Sequence, residues 1–480
     1  MVPLQEKELI SNFAKIIKQM MMHKSKMVGL LLLVLVIGCN YNKDIKSALI
    51  TADTNRSELK VVLDHYRKTD PNPYKLRAAQ FLIENMPAHY SYEEDDIYQY
   101  YQYAEKILTN HAITPEQQRD SLLVITDLKY KGLTDLTVPD LQIIKASYLI
   151  DNIDKSYAQW TTCPWASQVT FNEYLEWMLP YKAVELQELD YWRDTLKTHF
   201  SDGLKDMIPN DVEYATTIKV ADIVRNEALN KLKRHGLYSR AGLPLLSAYL
   251  QAHQTYGNIS DYTLTAVLTF RSVGIPAVID ETPVGSRGTA ASCWFVLLSD
   301  YGSEVPSEWD LSTVPGWGFF PYERGPKVFR RTYAINADRL QYHRKAKYVY
   351  PFELARKDVT DKYFLTSDIK LPIKKELRKQ LKDKYVYIAS AVRRGTDTSS
   401  EPSSLGMEGW KIVDFGTIER SLAFFKNMGR EVMYMALGYN GKELIPITEP
   451  FILHKDGHIE FLDADIVNQT QYDQYKNNPI

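Results

Sequence analysis

The sequence predicts an α+β protein whose helices come first and whose strands come last, and three observations carry that reading. From about Leu59 to Ile153 apolar residues recur at helical spacing. Between residues 155 and 330 helices alternate with tryptophan-rich turns and short strands. Beyond that the texture becomes β-branched and aromatic, with turn dipeptides between the runs. The 480 residues are 45% hydrophobic and 25% charged, ordinary for a chain with real cores. A formal net charge of −2 supplies no field to draw in nucleic acid, so none is expected as a partner.

The first segment reads as an address. Lys24 and Lys26 precede an apolar run, residues 27–37, that is too short for a bilayer span of about 20 residues. Its length suits the core of a secretory signal. The run closes in "VIGC", which resembles a bacterial lipobox and makes Cys39 the lipidated mature N-terminus, with the membrane as partner. Residues upstream of about 22 are surplus to such a signal, leaving Met1, Met20, Met21, Met22 and Met27 as candidate starts. Residues 1–39 are therefore extension and signal, and 40–154 a tether and helical domain.

Within the helical domain, "KLRAAQFLIENM" places Ala79, Leu82, Ile83 and Met86 on one stripe. Further helices are predicted over 96–110, 115–131 and 138–154, entered through Asp, Thr or Pro. The whole reads as a small bundle with no site of its own.

The middle domain, 155–345, holds "YGNISDYTLTAVLTFRSVGIPAV", residues 256–278. Ser260 and Asp261 are good N-caps for a helix over about 262–272. That helix is apolar nearly all round, so it is buried. Gly274 stops it, and "IPAVID" leaves as a strand. Residue 259 thus stands at the start of a buried helix, where the dipole and free amides would activate a thiol. The residue there is isoleucine.

The last domain, 346–480, contains the strand-like runs "VYIASAV", "WKIVDFGTI" and "EVMYMALGY". Asn440-Gly441 and Asp456-Gly457 separate such runs and signal hairpins. An antiparallel β-sandwich is predicted.

"GNISDYTLTAVLTFRSVGIPAVIDETP", followed by "AASCWFVLL", resembles the core of the transglutaminase-like superfamily, whose arrangement is shared with papain-type cysteine hydrolases. Members carry a G-x-C-x-D-like helix start, an R-x-x-G-I-P stop and strand, H-x-W on the next strand and an Asp on the one after. Gly257, Asp261, Arg271, Gly274, Ile275, Pro276, Pro283 and Trp294 stand where that pattern wants them. Through "KLRAAQFLIENMPAHYSY", "CPWASQVTFNEYLEWMLPYK", "DVTDKYFLTSDI" and "KDGHIEFL", most of the mature chain resembles lipid-anchored transglutaminase-like proteins of Bacteroidota. The resemblance implies a papain-like α+β core and an outer-membrane lipoprotein of the cell envelope, on its periplasmic or surface face.

The departures fall on the chemistry. The family's nucleophile position is Ile259, its histidine position is Ser292, and Asp310 stands for the acid. Isoleucine cannot attack a carbonyl, and serine cannot take a proton near neutral pH as imidazole does. Losing both costs many powers of ten in rate. The expectation is a pseudo-enzyme with no catalytic residues, cofactor or metal. Its inherited cleft, with Ile259 facing Ser292, would bind peptide, glycopeptide or glycan among Trp294, Trp309, Trp317 and Ser260. The 33 tyrosines suit such surfaces, because their rings bury while their hydroxyls stay wet. Two alternatives stay open. One is a cysteine hydrolase or acyl transferase with a displaced thiol, Cys293 or Cys163. The other is a structural envelope lipoprotein without ligand. Whether Cys163 and Cys293 are bridged is also open.

Overall fold

The structure, a computed structural model, describes residues 45–130, 137–204, 216–232, 236–237, 244–285, 288, 291–309, 311–317, 324–392 and 409–462. Helix Pro73–Asn85 shows why the first third is helical. Asn72 accepts the N–H groups of Tyr74 and Lys75, and Pro73 occupies the first turn, where no backbone donor is needed. Its stripe Ala79, Leu82, Ile83 and Met86 is buried, as the spacing predicts. Helices Glu94–Leu108 and Pro115–Ile125 follow, the second opened by a Thr114–Gln117 capping box.

The single helix predicted over 138–154 is broken in two. A short turn, Asp140–Ile143, is followed by helix Ala146–Thr162, with Ile144 and Lys145 extended between them. The cap of the second helix comes from afar, since Glu58 Oε2 accepts the Ala146 N–H at 2.8 Å. Helix Ala146–Thr162 also runs straight through the domain boundary predicted at 154.

Two small ladders, β1 (Tyr90–Tyr92) with β2 (Thr137–Pro139) and β3 (Gly236–Leu237) with β4 (Tyr256–Gly257), lie among the helices. The central sheet consists of β5 (Ala277–Thr282), β6 (Ser292–Leu298), β7 (Glu304–Ser307), β8 (Phe329–Arg331) and β9 (Arg356–Asp358). It is antiparallel throughout, in the order β7-β6-β5-β8-β9. Alternation along β5 and β6 feeds two cores. Val278, Trp294, Val296 and Leu298 face a core that includes Leu82, Ile153 and Tyr333. Ile279, Cys293, Phe295 and Leu297 face helix Ile259–Ser272, hereafter the central helix. The helical region therefore packs into both of these cores and is not a separate bundle.

The C-terminal strands are β10 (Thr366–Pro372), β11 (Tyr385–Ala391), β12 (Trp410–Glu419), β13 (Leu422–Gly429), β14 (Val432–Tyr439), β15 (Leu444–Pro446), β16 (Phe451–Leu453) and β17 (Ile459–Phe461). They form one eight-stranded antiparallel sheet, curled into a half-barrel. The register shifts between Ser367 and Ile369 and between Ile388 and Ala389, irregularities of the kind that bend a strand. One face packs on itself through Val386, Ile388, Phe425 and Phe451. The other, through Tyr387 and Met435, is covered by Tyr342 and Phe352, so helix Ala337–Lys345 belongs with this sheet. Asn440-Gly441 and Asp456-Gly457 make their turns with glycine φ of +105° and +91°. Sheet and half-barrel are riveted by Lys327, whose buried Nζ lies 2.5 Å from Asp358 and 3.1 Å from Asp414. No helix among the described residues is long and apolar enough to cross a membrane.

Candidate functional site

The central helix is fixed at both ends. At its start Asn258 Oδ1 accepts the Asp261 N–H at 2.9 Å, and Asp261 Oδ2 accepts the Asn258 N–H at 3.1 Å. This reciprocal pair satisfies two end donors at once, which Ser260 alone as a cap would not. The helix accordingly begins at Ile259, ahead of the predicted start, and its cap is Asn258 rather than Ser260 or Asp261. At the far end Gly274 adopts φ +82°, and a Cβ there would lie 2.8 Å from Cys163 Sγ. The last carbonyls are covered as well. Ser272 O accepts from Gln159 Nε2 at 2.5 Å, and Val273 O from Trp165 Nε1 at 3.0 Å. Buried Arg271 reaches forward to donate from Nε to Ala277 O at 2.8 Å, and burial draws its pKa down to about 9.

Ile259 takes the first helical position and is half-buried against the second core, while Ser260 beside it is exposed. The side chain of β6 that reaches this turn is Cys293. Its Sγ lies 3.6 Å from Ser260 Oγ and 3.5 Å from Thr263 Oγ1. One expectation is corrected here. Ser292 opens β6 opposite Thr282, and alternation sets it on the Trp294 face, away from the helix. Ile259 and Ser292 therefore do not face each other across one cleft. Asp310 and Cys39 lie outside the described residues.

The thiols are not poised to attack. Burial pushes the Cys293 thiol up, and the two hydroxyls and Arg331 reverse only part of that. Burial likewise pushes Cys163 up to about 11. Both cysteines are free, so no bridge joins them. Glu281 opposes Cys293 on the same sheet face, where its carboxylate accepts from Arg331 Nε at 2.8 Å and Arg356 Nε at 2.5 Å. Burial alone would raise its pKa, and the two guanidinium groups outweigh burial and lower it.

Across the sheet, Asp280 holds Arg330 by two hydrogen bonds of 2.8 Å and accepts from Tyr363 OH at 2.6 Å. Trp294 Nε1 donates to the same Tyr363 oxygen at 3.0 Å. Trp294 is only 2% exposed, so it closes a buried network and lines no ligand cleft. Trp309 stacks on Tyr262 of the central helix, with centroids 5.8 Å apart and planes at 11°. Trp317 is 75% exposed. Of the predicted aromatic residues, these two remain available at the surface. Thr263, Glu281, Arg331 and Arg356 complete the surroundings of Cys293. Nothing in the spacing along the chain signals the two arginines.

Comparisons with protein-family models, with curated proteins and with solved structures gave no match. Among the described residues no three His, Cys, Asp or Glu side chains gather as a metal site.

Proposed function

We propose that this chain is a lipid-anchored envelope protein whose transglutaminase-like core has given up thiol chemistry and serves to bind a peptide, glycopeptide or glycan. One observation carries the reading. The helix start that would ionise a thiol presents Ile259, and the nearest sulfur, Cys293, is buried, hydroxyl-bonded and held in its neutral form. A nucleophile must be a thiolate to react at useful rates. Beside that turn the half-buried Trp309 lies flat on Tyr262, which supports a binding role. Flat aromatic rings suit the apolar faces of sugars and of peptide side chains.

The test has two arms. Ammonia release from glutamine peptides, and amine incorporation into them, should stay at background and be unmoved by thiol-blocking reagents. Equilibrium dialysis against short peptides, glycopeptides and oligosaccharides should find saturable binding by one of these classes, weakened in Trp309→Ala. Turnover abolished by Cys293→Ser or Cys163→Ser would overturn the proposal, as would binding of none of the three classes.

A further inference from the structure

A second region of the molecule has the makings of a ligand site, and it lies in the helical part that reads as featureless from sequence. A cavity of about 200 Å³ opens between helix Glu94–Leu108, strand β1 and the break before helix Ala146–Thr162. Four tyrosines line it, namely Tyr92, Tyr98, Tyr101 and Tyr148, and Lys145 and Glu188 also contribute to the wall. Ile97, Ile143 and Ile144 supply apolar surface between the rings. The break at Ile144 and Lys145 is thus also what makes room for the cavity.

Two polar atoms beside it are in debt. The Tyr148 hydroxyl is buried and has no hydrogen-bond partner among the described residues, and the same holds for Asp190 Oδ1. Asp190 uses only its other oxygen, accepting the Ala248 N–H at 3.1 Å. A buried polar group left unpaired costs folding free energy unless something else satisfies it. Asp140 near that hydroxyl is paired with Lys182 at 2.5 Å, and burial raises the Asp190 carboxyl to about 7. On the cavity wall itself Glu188 is the one acidic side chain among the lining residues, facing the same space as Lys145.

Tyrosine faces carry negative potential, and a cluster of them accepts an alkylated ammonium group better than it accepts a sugar. A sugar of that size would need several hydrogen-bond partners. Tyr92 and Tyr101 already spend their hydroxyls on the backbone of Leu245, at 2.9 Å each. From the four rings, the apolar floor and Glu188 on the wall we infer that this cavity binds a small organic cation of the alkylammonium class. The site is separate from the helix start of Ile259 and stands or falls independently of the function proposed above.

The experiment uses the full chain and two probes of matched shape, choline and its neutral isostere 3,3-dimethylbutan-1-ol, followed by saturation-transfer NMR and calorimetry. Choline should bind saturably, with the isostere at least about fivefold weaker, the scale of one partly solvated cation–aromatic contact. Tyr98 is 60% exposed, so Tyr98→Leu should fold normally, and it should weaken choline binding about two- to fivefold. Tyr301→Leu, at a tyrosine exposed elsewhere on the surface, should change nothing. No saturable binding of choline, equal affinity for the isostere, or an equal loss in Tyr301→Leu would each overturn the inference.

Discussion

Both faces of strands β5 and β6 carry buried ion pairs, and they differ in what stands beside them. On the face turned from the central helix, Asp280, Arg330, Tyr363, Trp294 and Glu304 form one connected network. Burial would raise the Glu304 carboxyl, but Arg330 and Lys362 hold it down at about 2. On the face turned to the helix, Arg331 and Arg356 hold Glu281, and beside it Cys293 is a neutral thiol under two hydroxyls, with isoleucine at the helix start. The ion pairs of both faces are spent on structure. The apolar side chain at the helix start is Ile259, where an activated thiol would need to stand. A buried charge network is retained only if complete, because removing one partner strands the other.

The largest effect should come from breaking that network. Asp280→Ala leaves Arg330 and the Tyr363 hydroxyl without their shared acceptor, and denaturant unfolding should show a loss of about 3–5 kcal/mol. An equally stable variant would mean that the two faces differ less than their geometry states. Next in size is thiol reactivity. With Cys163 at about 11 and Cys293 also raised, iodoacetamide at pH 7.5 should alkylate the folded protein about a hundredfold more slowly than free cysteine. Ile259→Cys should add one site that reacts faster than either native thiol, and Ser292→His should not accelerate it further, since residue 292 faces the other way.

A third test concerns pH on the network side. His89 Nδ1 lies 2.8 Å from Glu185, and its Nε2 lies 2.9 Å from Tyr333 O. Burial, the largest influence, would lower the His89 pKa, but the charge and hydrogen bond of Glu185, with the bond to Tyr333 O, together outweigh it and raise it. For Glu185 the same contact outweighs burial and lowers the carboxyl to about 2. The histidine's contribution is full below its ordinary value of about 6.5 and fades as pH climbs through the raised value. The carboxylate's contribution is present above about 4.3 and fades as pH falls towards 2. His89→Gln should therefore cost most near pH 5.5, about 1–3 kcal/mol, and less at pH 9. A cost that does not vary with pH would count against a charged pair. The smallest effect belongs to the helix start, where Asn258→Ala should cost about 1 kcal/mol by thermal unfolding. Ser260→Ala should cost less than about 0.5 kcal/mol, because the residue is exposed and its hydroxyl makes only the long 3.6 Å contact with Cys293 Sγ.

Much of this was legible in the chain. The stripe of helix Pro73–Asn85, the buried central helix, the Gly274 stop and the two hairpin turns all follow from local pattern. The identity of the face that meets the central helix does not. Ile279 and Phe295 on one side are as apolar as Val278 and Val296 on the other, and a strand covered on both faces reads as one continuous apolar run. The break at Ile144 was equally hidden, since its cap is Glu58. Curling of the C-terminal sheet depends on register shifts at Ser367 and Ile388 that no hydrophobic pattern announces. For the tyrosine cavity a signal existed in "YSYEEDDIYQYYQY", a density of rings beyond what a helix needs to pack.

The first core carries a consequence for how the chain is born. Tyr333 OH donates to Leu82 O at 3.0 Å, and the Ile335 N–H donates to Asn85 Oδ1 at 3.0 Å, contacts that span 251 and 250 residues. At about 5–20 residues per second, a ribosome needs roughly 12–50 s to travel from the first partner to the second. Through that interval the earliest helices exist without the strands that cover them, their apolar stripes open to any neighbour. Translation stalled before residue 333 should leave a protease-sensitive nascent chain, and protection should arrive late and all at once, when the sheet closes over helices made long before.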